Sequence, residues 1–215
     1  MPRQNGFEGA ADPLQRPWFS GFVKEPVTGR LWLSSTGLTG DGVADTKNHG
    51  GPEKAVLAYA RSHYADWSQQ LVIASMPPAS FGENFTVSGL TEETVCVGDT
   101  FAVGNGGNEG EGEPPLIQVS QPRQPCWKQE RRLGRPGLIA LMVNTGRTGW
   151  YFRVLREGWA HAGAELFLRE RPFPEWTIAR ANRLRYHDKD DHDAMNRLAA
   201  CPLLSPTWQT ALAKK

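Results

Sequence analysis

Short apolar runs rich in β-branched and aromatic residues, separated by turn-forming residues, occupy much of residues 18–170. The first two runs, residues 18–23 and 30–33, flank the turn-forming residues 26–29, and this order predicts a β-hairpin. Further runs predict strands at residues 55–59, 84–87, 94–97, 101–103, 116–119, 149–155 and 165–168. Short strands at such close spacing indicate a barrel or a sandwich.

Two segments between these runs have the apolar spacing of a helix. Residues 61–71 place Tyr64, Trp67 and Leu71 on one helical face. Residues 136–144 form a short apolar run that opens with a proline, which favours the first turn of a helix. We therefore predict one helix in each segment.

Beyond residue 171 the pattern changes to short amphipathic segments. Trp176 and Leu184 belong to a first predicted helix, and Asp191 can cap a second. Ser205 followed by Pro206 predicts the start of a third helix, because serine is a good N-cap and proline fits the first helical position. A unit of this size is marginal alone, so we expect it to pack against the main domain or a partner.

These patterns predict an α+β fold with a β-barrel-like main domain at residues 18–171 and a small three-helix unit at residues 172–215. Residues 104–115 hold too little apolar mass to order themselves, so we predict a mobile excursion between two strands there. Its glycine pattern does not predict a nucleotide site, because Pro114 and Pro115 prevent a helix from following at the required distance.

Composition narrows the classes of protein. The 24 Lys and Arg residues nearly balance the 23 Asp and Glu residues, which argues against stable binding to nucleic acid. No run approaches the roughly 20 apolar residues of a membrane span, and the first 15 residues lack the pattern of a signal peptide. The 3 cysteines are far apart without CxxC spacing, which argues against a zinc site and suits a reducing compartment. We expect a cytoplasmic protein.

Cys126 is the strongest candidate for chemistry. Pro122 and Pro125 restrict the backbone before it, which predicts a thiol held on a stiff loop. The nearby cations are Arg123, Lys128, Arg131, Arg132 and Arg135. Positive charge favours the thiolate, the form that attacks electrophiles and binds metals. The alternative is a small buried apolar residue, because free cysteines are often buried.

A second candidate site lies in the glycine-rich segment 39–55. Its candidate binding residues are His49, Gly50, Gly51 and Lys54. Glycines allow backbone amides to approach a ligand and a lysine supplies charge, so the segment can form an anion cradle. The alternative is a solvated surface loop with a structural histidine. Asp41 and Asp45 are either a carboxylate pair or turn caps.

A third candidate is Asn84, at the entrance of a predicted strand in the run Phe81-Gly-Glu-Asn-Phe-Thr-Val. Its amide can donate to a ligand oxygen, or it can form an Asx-type turn into the strand. His187 and His192 lie across a probable break in the helical tail, so their spacing does not predict a metal pair.

Three segments in order along the chain, HGGPEKAV (49–56), FGENFTV (81–87) and SQPRQPCWK (120–128), resemble those of the MOSC domain family, named after the C-terminal part of molybdenum cofactor sulfurase. The resemblance covers residues 20–170, and the helical tail is similar to the extension of the bacterial YiiM-type branch. It implies a β-rich MOSC domain at 18–171 and a cofactor of the molybdopterin type.

The resemblance also implies an activity and site residues. Members of this branch reduce N-hydroxylated base analogues such as 6-N-hydroxylaminopurine and related hydroxylamines, which protects against their toxicity. Cys126 matches the family's cysteine, which ligates molybdenum in reductases and carries a persulfide in sulfurase-type members. His49, Lys54, Asn84 and Arg123 match motif positions and are expected to bind the cofactor.

These implications leave two alternatives to a reductase: a persulfide sulfur-transfer protein acting through Cys126, and a non-catalytic molybdenum cofactor carrier. A soft thiolate is suited to binding a metal, and a loop with cations is suited to binding a phosphate group. We find no flavin, haem or iron–sulfur motif, so a reductase needs an external electron-donor protein. The helical tail is a candidate for docking that donor or for pairing two subunits as a homodimer.

Overall fold

The computed structural model describes residues 1–104 and 112–213. Its strands are β1 (Arg3–Asn5), β2 (Trp18–Ser20), β3 (Leu31–Ser34), β4 (Gly37–Leu38), β5 (Val56–Ala60), β6 (Phe85–Val87), β7 (Thr100–Val103), β8 (Leu116–Pro122), β9 (Trp150–Arg156), β10 (Gly158–Ala160) and β11 (Leu166–Glu170). Its α-helices are α1 (His63–Gln70), α2 (Trp127–Leu133), α3 (Leu138–Thr145), α4 (Ile178–Tyr186), α5 (His192–Ala199) and α6 (Pro206–Ala213).

A curled six-stranded sheet, in the order β11-β7-β8-β9-β5-β6, forms the main domain. The β5–β6 pair is parallel and the other pairs of this sheet are antiparallel. A separate three-stranded sheet has the order β10-β3-β4. The α+β prediction, with a barrel-like sheet and a helical tail, is confirmed.

The predicted hairpin at residues 18–33 is wrong. Strand β2 pairs with β1, whereas β3 pairs with β10 and β4 in another sheet. Residues 21–30 between β2 and β3 form a longer connection than the two to five residues of a typical hairpin loop. The sequence analysis also missed β1, β4, β10 and the helix α2.

The predicted strand at 94–97 is also wrong, and this segment instead attaches the helical tail. Cys96 forms an isolated bridge with Thr177. The amide of Val97 donates to Trp176 O at 2.9 Å, and the amide of Ile178 donates to Val95 O at 2.9 Å. Because its hydrogen bonds go to the tail, the segment pairs with no strand of the sheet within the described residues.

The three tail helices form as predicted. Asp191 caps α5 by accepting from Ala194 N at 3.0 Å, and Ser205 Oγ accepts from Trp208 N at 3.4 Å at the start of α6. Ser205 also donates to Gln121 Oε1 at 2.6 Å, which joins the tail to β8. Apolar residues of the tail share one buried core with the sheet, so the expectation that the unit packs on the main domain is confirmed.

The predicted helices at 61–71 and 136–144 correspond to α1 and α3. Trp67 and Leu71 are buried in a second, smaller core together with Leu138 and Met142 of α3. The predicted excursion at 104–115 falls largely on residues 105–111, outside the described part of the chain. The predicted domain boundary near residue 171 stays a prediction.

Candidate functional site

A cavity of about 450 Å³ lies between the loops that follow β2 and β4, the glycine loop before β5, and the start of α2. Its volume lies within the range of small-molecule sites, about 300–1,000 Å³. All the residues predicted from the sequence line it: His49, Gly50, Gly51, Lys54, Asn84, Arg123 and Cys126. The fold therefore brings the three motifs, which are separated along the chain, to one place.

Cys126 is the N-cap residue of α2 and not part of a free loop. Its backbone N–H donates to Gln129 Oε1 at 2.9 Å, which fixes the backbone at the thiol. Cys126 is half-buried and lines the cavity, whereas Cys96 and Cys201 are buried elsewhere. Cys126 is thus the one cysteine whose thiol a ligand in this cavity can meet.

The predicted ring of five cations around this thiol needs correction. Arg131 donates to Arg16 O at 3.0 Å, and Arg135 donates to Leu71 O at 3.3 Å, so both are engaged away from the cavity. Arg135 also lies beyond Leu133, the last residue of α2. Among the five predicted cations, Arg123 and Lys128 line the cavity.

The positive charge comes from several elements. The cations that line the cavity are Lys24, Lys54, Arg123 and Lys128. Among the described residues a single carboxylate, Asp41, faces them. This excess of positive charge favours an anionic ligand.

Lys128 is the least compensated of these cations. It is 7% exposed, and its ammonium group lies 5.9 Å from the centroid of the Trp127 ring. Within residues 1–104 and 112–213, no carboxylate or hydrogen-bond acceptor pairs with it. Because Lys128 lines the cavity, a negative group bound there could pair with its ammonium group.

Replacing Lys128 with methionine is therefore expected to weaken anion binding with little change in stability. Methionine keeps the apolar packing of the lysine stem, so the free energy of unfolding should change by less than about 1 kcal/mol. Losing a charged hydrogen-bond donor should weaken phosphate binding by about 10- to 100-fold. Urea unfolding and calorimetric titration with inorganic phosphate at low salt test both effects. Lys47→Met, at an exposed position of the glycine loop, is the control; equal phosphate affinity in the wild type and Lys128→Met contradicts the assignment.

His49 is neutral in this cavity at pH 7. Burial lowers its pKa to about 4, the charges of Lys128, Lys54 and Arg123 add to the effect, and Asp45 opposes it. Burial also lowers the pKa of Lys54, whose ammonium donates to Asn48 O at 2.8 Å. The loop contributes one neutral ring and one cation to the site.

The lowered pKa of His49 predicts a pH dependence of stability. Because the folded-state pKa of about 4 lies below the ordinary value of 6.5, the unfolded chain binds a proton first as the pH falls. Stability should decrease between pH 6.5 and pH 4 for this reason. Urea unfolding at several pH values should show a smaller decrease for His49→Gln than for the wild type, with His161→Gln as an exposed control. Identical profiles for the wild type and His49→Gln would rule out this contribution.

Two glycines shape the loop beside His49. Gly50 has φ of 72°, and a Cβ atom there would lie 2.9 Å from Val43 Cγ2. Gly51 has φ of 81° and no heavy atom within 4 Å of a Cβ position. Both need the left-handed backbone conformation that glycine adopts at low cost, and Gly51 also leaves its surroundings open. The close approach of this backbone to a ligand stays a prediction.

Arg123 is 3% exposed; it links two segments of the chain around the cavity and also adds positive charge to it. Its guanidinium donates to Phe81 O at 3.0 Å and to Thr148 O at 3.4 Å. These bonds connect the turn before β6 with the chain before β9. The side chain combines this structural role with its charge in the cavity.

Asn84 also holds protein groups. Its Oδ1 accepts from Leu57 N at 3.0 Å, and its Nδ2 donates to Asp41 Oδ2 at 2.6 Å. Asp41 forms an ion pair with Lys24. Burial opposes ionisation of Asp41, but the Lys24 charge and the hydrogen bonds from Lys24, Asn84 and Gly42 lower its pKa below the usual value. Asn84 and Asp41 thus set the position of Lys24.

The proposed Asp41–Asp45 carboxylate pair does not form. Asp45 accepts hydrogen bonds from Lys47 N and Asn48 N, both at 3.2 Å, and so caps its own turn. Asp45 is not among the residues that line the cavity. The turn-capping alternative therefore holds for Asp45.

The lining residues that the sequence analysis did not identify include Lys24 and Tyr151. Lys24 lies in the connection after β2, and Tyr151 lies on β9, outside all three motifs. Burial raises the pKa of Tyr151, the charge of Arg123 opposes this, and Cys126 reinforces it. No local signal marks either residue, because both reach the cavity only through the tertiary fold.

Metal ligands from the protein are few. Within the described residues, no group of three or more His, Cys, Asp or Glu side chains could hold a metal ion. A metal at Cys126 would need further donor atoms from a cofactor.

Comparisons with known proteins show the family of this chain. Residues 45–167 match the MOSC domain, and this chain belongs to the MOSC domain family. Residues 176–215 match the YiiM-like 3-alpha helix domain, which places the chain in the YiiM-like branch.

Several relatives align over most of the chain. The Bacillus subtilis protein YflK, described as uncharacterized, is 40% identical over 91% of this chain and 84% of its own length. The Escherichia coli protein YiiM is 37% identical over 91% of this chain and 84% of its own length. A Gibberella moniliformis protein named "Reductase" is 33% identical over 87% of this chain but 32% of its own length.

A solved structure supports the fold. The crystal structure of YiiM from Geobacillus stearothermophilus superposes with a TM-score of 0.78 at 33% identity, covering 100% of this chain and 94% of that chain. Among the described residues of this protein, no helix is both long enough and apolar enough to cross a membrane.

Proposed function

We propose that this protein is a molybdenum cofactor-dependent reductase that converts N-hydroxylated compounds to the corresponding amines and so protects against their toxicity. The observation that carries the proposal is the convergence of the Cys126 thiol with four cations in one cavity. The relative named "Reductase" adds support at the level of reaction class.

The residues present fit a cofactor of the molybdopterin type. Cys126 offers a soft sulfur ligand, which suits a thiophilic metal, and it lies in the same cavity as the nearly buried Lys128. Lys54, Lys128 and Arg123 supply charge for a phosphate group, and Gly50 and Gly51 allow close backbone approach. When bound, this cofactor supplies the two-electron chemistry that cleaves the N–O bond.

The roles of this chain's own residues follow from their contacts. Cys126 would hold the metal, and Lys128 would bind a negative group of the cofactor. Neutral His49 would offer a ligand an uncharged ring nitrogen, and Asn84 holds Asp41 and thereby Lys24. The protein orients the cofactor and excludes competing reactions, while the cofactor carries the redox chemistry.

The overall reaction is R–NHOH + 2 e⁻ + 2 H⁺ → R–NH₂ + H₂O. The N–O bond breaks, and the oxygen leaves as water with protons from solvent. An external electron-donor protein supplies the two electrons. We place this activity in the cytoplasm and propose no role in nucleic-acid binding; a homodimer formed through the helical tail remains part of the proposal.

The proposal is tested by loading the protein with cofactor and adding 6-N-hydroxylaminopurine with reduced methyl viologen as electron donor. The expected product is adenine, formed in a molybdenum-dependent way. If the loaded protein binds molybdenum but reduces no N-hydroxylated compound, the proposed reductase activity is wrong and the protein is a cofactor carrier.

A second candidate function is sulfur transfer, favoured by one observation. Cys126 is the one cysteine lining the cavity, so it can carry a persulfide without a neighbouring thiol to resolve it. Mass spectrometry of the protein after exposure to a persulfide donor tests this. A stable persulfide on Cys126, in protein that binds no molybdenum after loading, would favour sulfur transfer.

A further inference from the structure

Tyr151 differs from the other three tyrosines of this chain in its hydroxyl group. Tyr59 donates to Arg147 O at 3.1 Å, and Tyr64 donates to Glu83. The side chain of Tyr186 is hydrogen-bonded to Arg185. For Tyr151, no hydrogen-bond partner of the hydroxyl lies within the described residues, and its side chain lines the cavity that contains Cys126.

The backbone fixes Tyr151 firmly. Tyr151 lies on β9, opposite Leu57 of β5 and Gln121 of β8. The hydroxyl of Ser120 lies 3.1 Å from Tyr151 O and 2.6 Å from Glu53 O. A side chain on a central strand with neighbours on both sides is presented more precisely than one on a loop. The side chain of this lining residue therefore has a defined position.

A phenol hydroxyl is a hydrogen-bond donor at neutral pH. The cations that line the cavity suit anionic groups of a cofactor, and the uncharged donors Ser34, Thr39 and Asn84 already donate to protein groups. An uncharged O–H donor suits an uncharged oxygen. A hydroxylamine substrate carries such an oxygen, and its amine product lacks it.

We propose that Tyr151 is a substrate-binding residue whose hydroxyl donates a hydrogen bond to the oxygen of the N–OH group. This inference rests on the proposed reductase function and adds a residue that distinguishes substrate from product. A site built to hydrogen-bond a ligand oxygen binds an analogue without that oxygen less well, because the buried donor is then left unpaired. Tyr151 thereby favours binding of the N-hydroxylated compound and release of the amine.

The test compares binding of 6-N-hydroxylaminopurine and adenine, which differ by one oxygen atom. Calorimetric titrations use cofactor-loaded protein without an electron donor, so that no turnover occurs. For Tyr151→Phe, affinity for 6-N-hydroxylaminopurine should fall by about 3- to 10-fold, the contribution of one neutral hydrogen bond, whereas affinity for adenine should not change. Molybdenum content and thermal unfolding of the variant should equal those of the wild type.

Tyr186→Phe is the matched control, because it removes a hydroxyl from α4 outside the cavity and should change neither affinity. An unchanged affinity of Tyr151→Phe for 6-N-hydroxylaminopurine, or an equal loss for both ligands, would overturn the assignment. If the wild type reduces 6-N-hydroxylaminopurine and Tyr151→Phe still binds it normally, the inference fails and the reductase proposal stands. A loaded wild type that neither reduces it nor prefers it to adenine overturns both.

Discussion

Replacing Cys126 with serine is expected to abolish both molybdenum retention and reductase activity. A hydroxyl is a hard, weakly acidic ligand, whereas the thiolate is the soft donor that a thiophilic metal prefers. The described part of the chain offers no cluster of side chains that could replace the lost ligand. We expect activity to fall by at least about 1,000-fold, as for the loss of a group that acts directly on the reacting centre.

The matched control is Cys201→Ser, which changes a buried cysteine in the helical tail. Molybdenum per protein, measured by elemental analysis, and adenine formation should both remain close to the wild-type values. Cys126→Ser should have the same circular dichroism spectrum as the wild type, since Cys126 is half-buried and its backbone N–H bond to Gln129 does not need the thiol. Full activity in Cys126→Ser would remove this residue from the proposed mechanism.

Replacing Glu83 with alanine is expected to cause a large loss in the free energy of unfolding. The Glu83 carboxylate is 2% exposed and accepts hydrogen bonds from Ala79 N at 3.2 Å, Phe81 N at 3.1 Å and Thr86 Oγ1 at 2.9 Å. Tyr64 also donates to it. Each buried donor left without a partner costs about 1–3 kcal/mol, so we expect a loss of about 3–5 kcal/mol in the free energy of unfolding.

Urea unfolding measures this loss, with Glu93→Ala as the control at an exposed carboxylate that should change stability by less than about 0.5 kcal/mol. The site should respond too, because Glu83 fixes the turn between Phe81 and Asn84. Phe81 O accepts from Arg123 and Asn84 holds Asp41, so cofactor binding should weaken with stability. A Glu83→Ala protein as stable as the wild type would contradict the role of this carboxylate.

The site residues that could be predicted lie in short sequence motifs. Gly50 and Gly51 could be identified because a glycine pair beside a lysine has a direct physical meaning for backbone and charge. Cys126 could be identified from its prolines and cations, although α2 directs some of those cations elsewhere. Short motifs of this kind carry their chemistry in neighbouring residues.

The remaining lining residues depend on tertiary structure. Lys24 reaches the cavity because Asp41 and Asn84, 17 and 60 positions further along the chain, hold it there. Tyr151 faces the cavity because of the register of β9 between β5 and β8, which includes an irregularity between Val119 and Gln121. Apolar patterns predict strands but not their partners, and the incorrect hairpin at residues 18–33 has the same cause.

The most direct test of the account is X-ray absorption spectroscopy at the molybdenum edge on protein purified from a cofactor-competent host. The account predicts stoichiometric molybdenum with one protein sulfur ligand beyond those of the cofactor, and loss of that ligand in Cys126→Ser. Protein that stays free of molybdenum after cofactor loading, or molybdenum with the same sulfur ligands in Cys126→Ser, would contradict it.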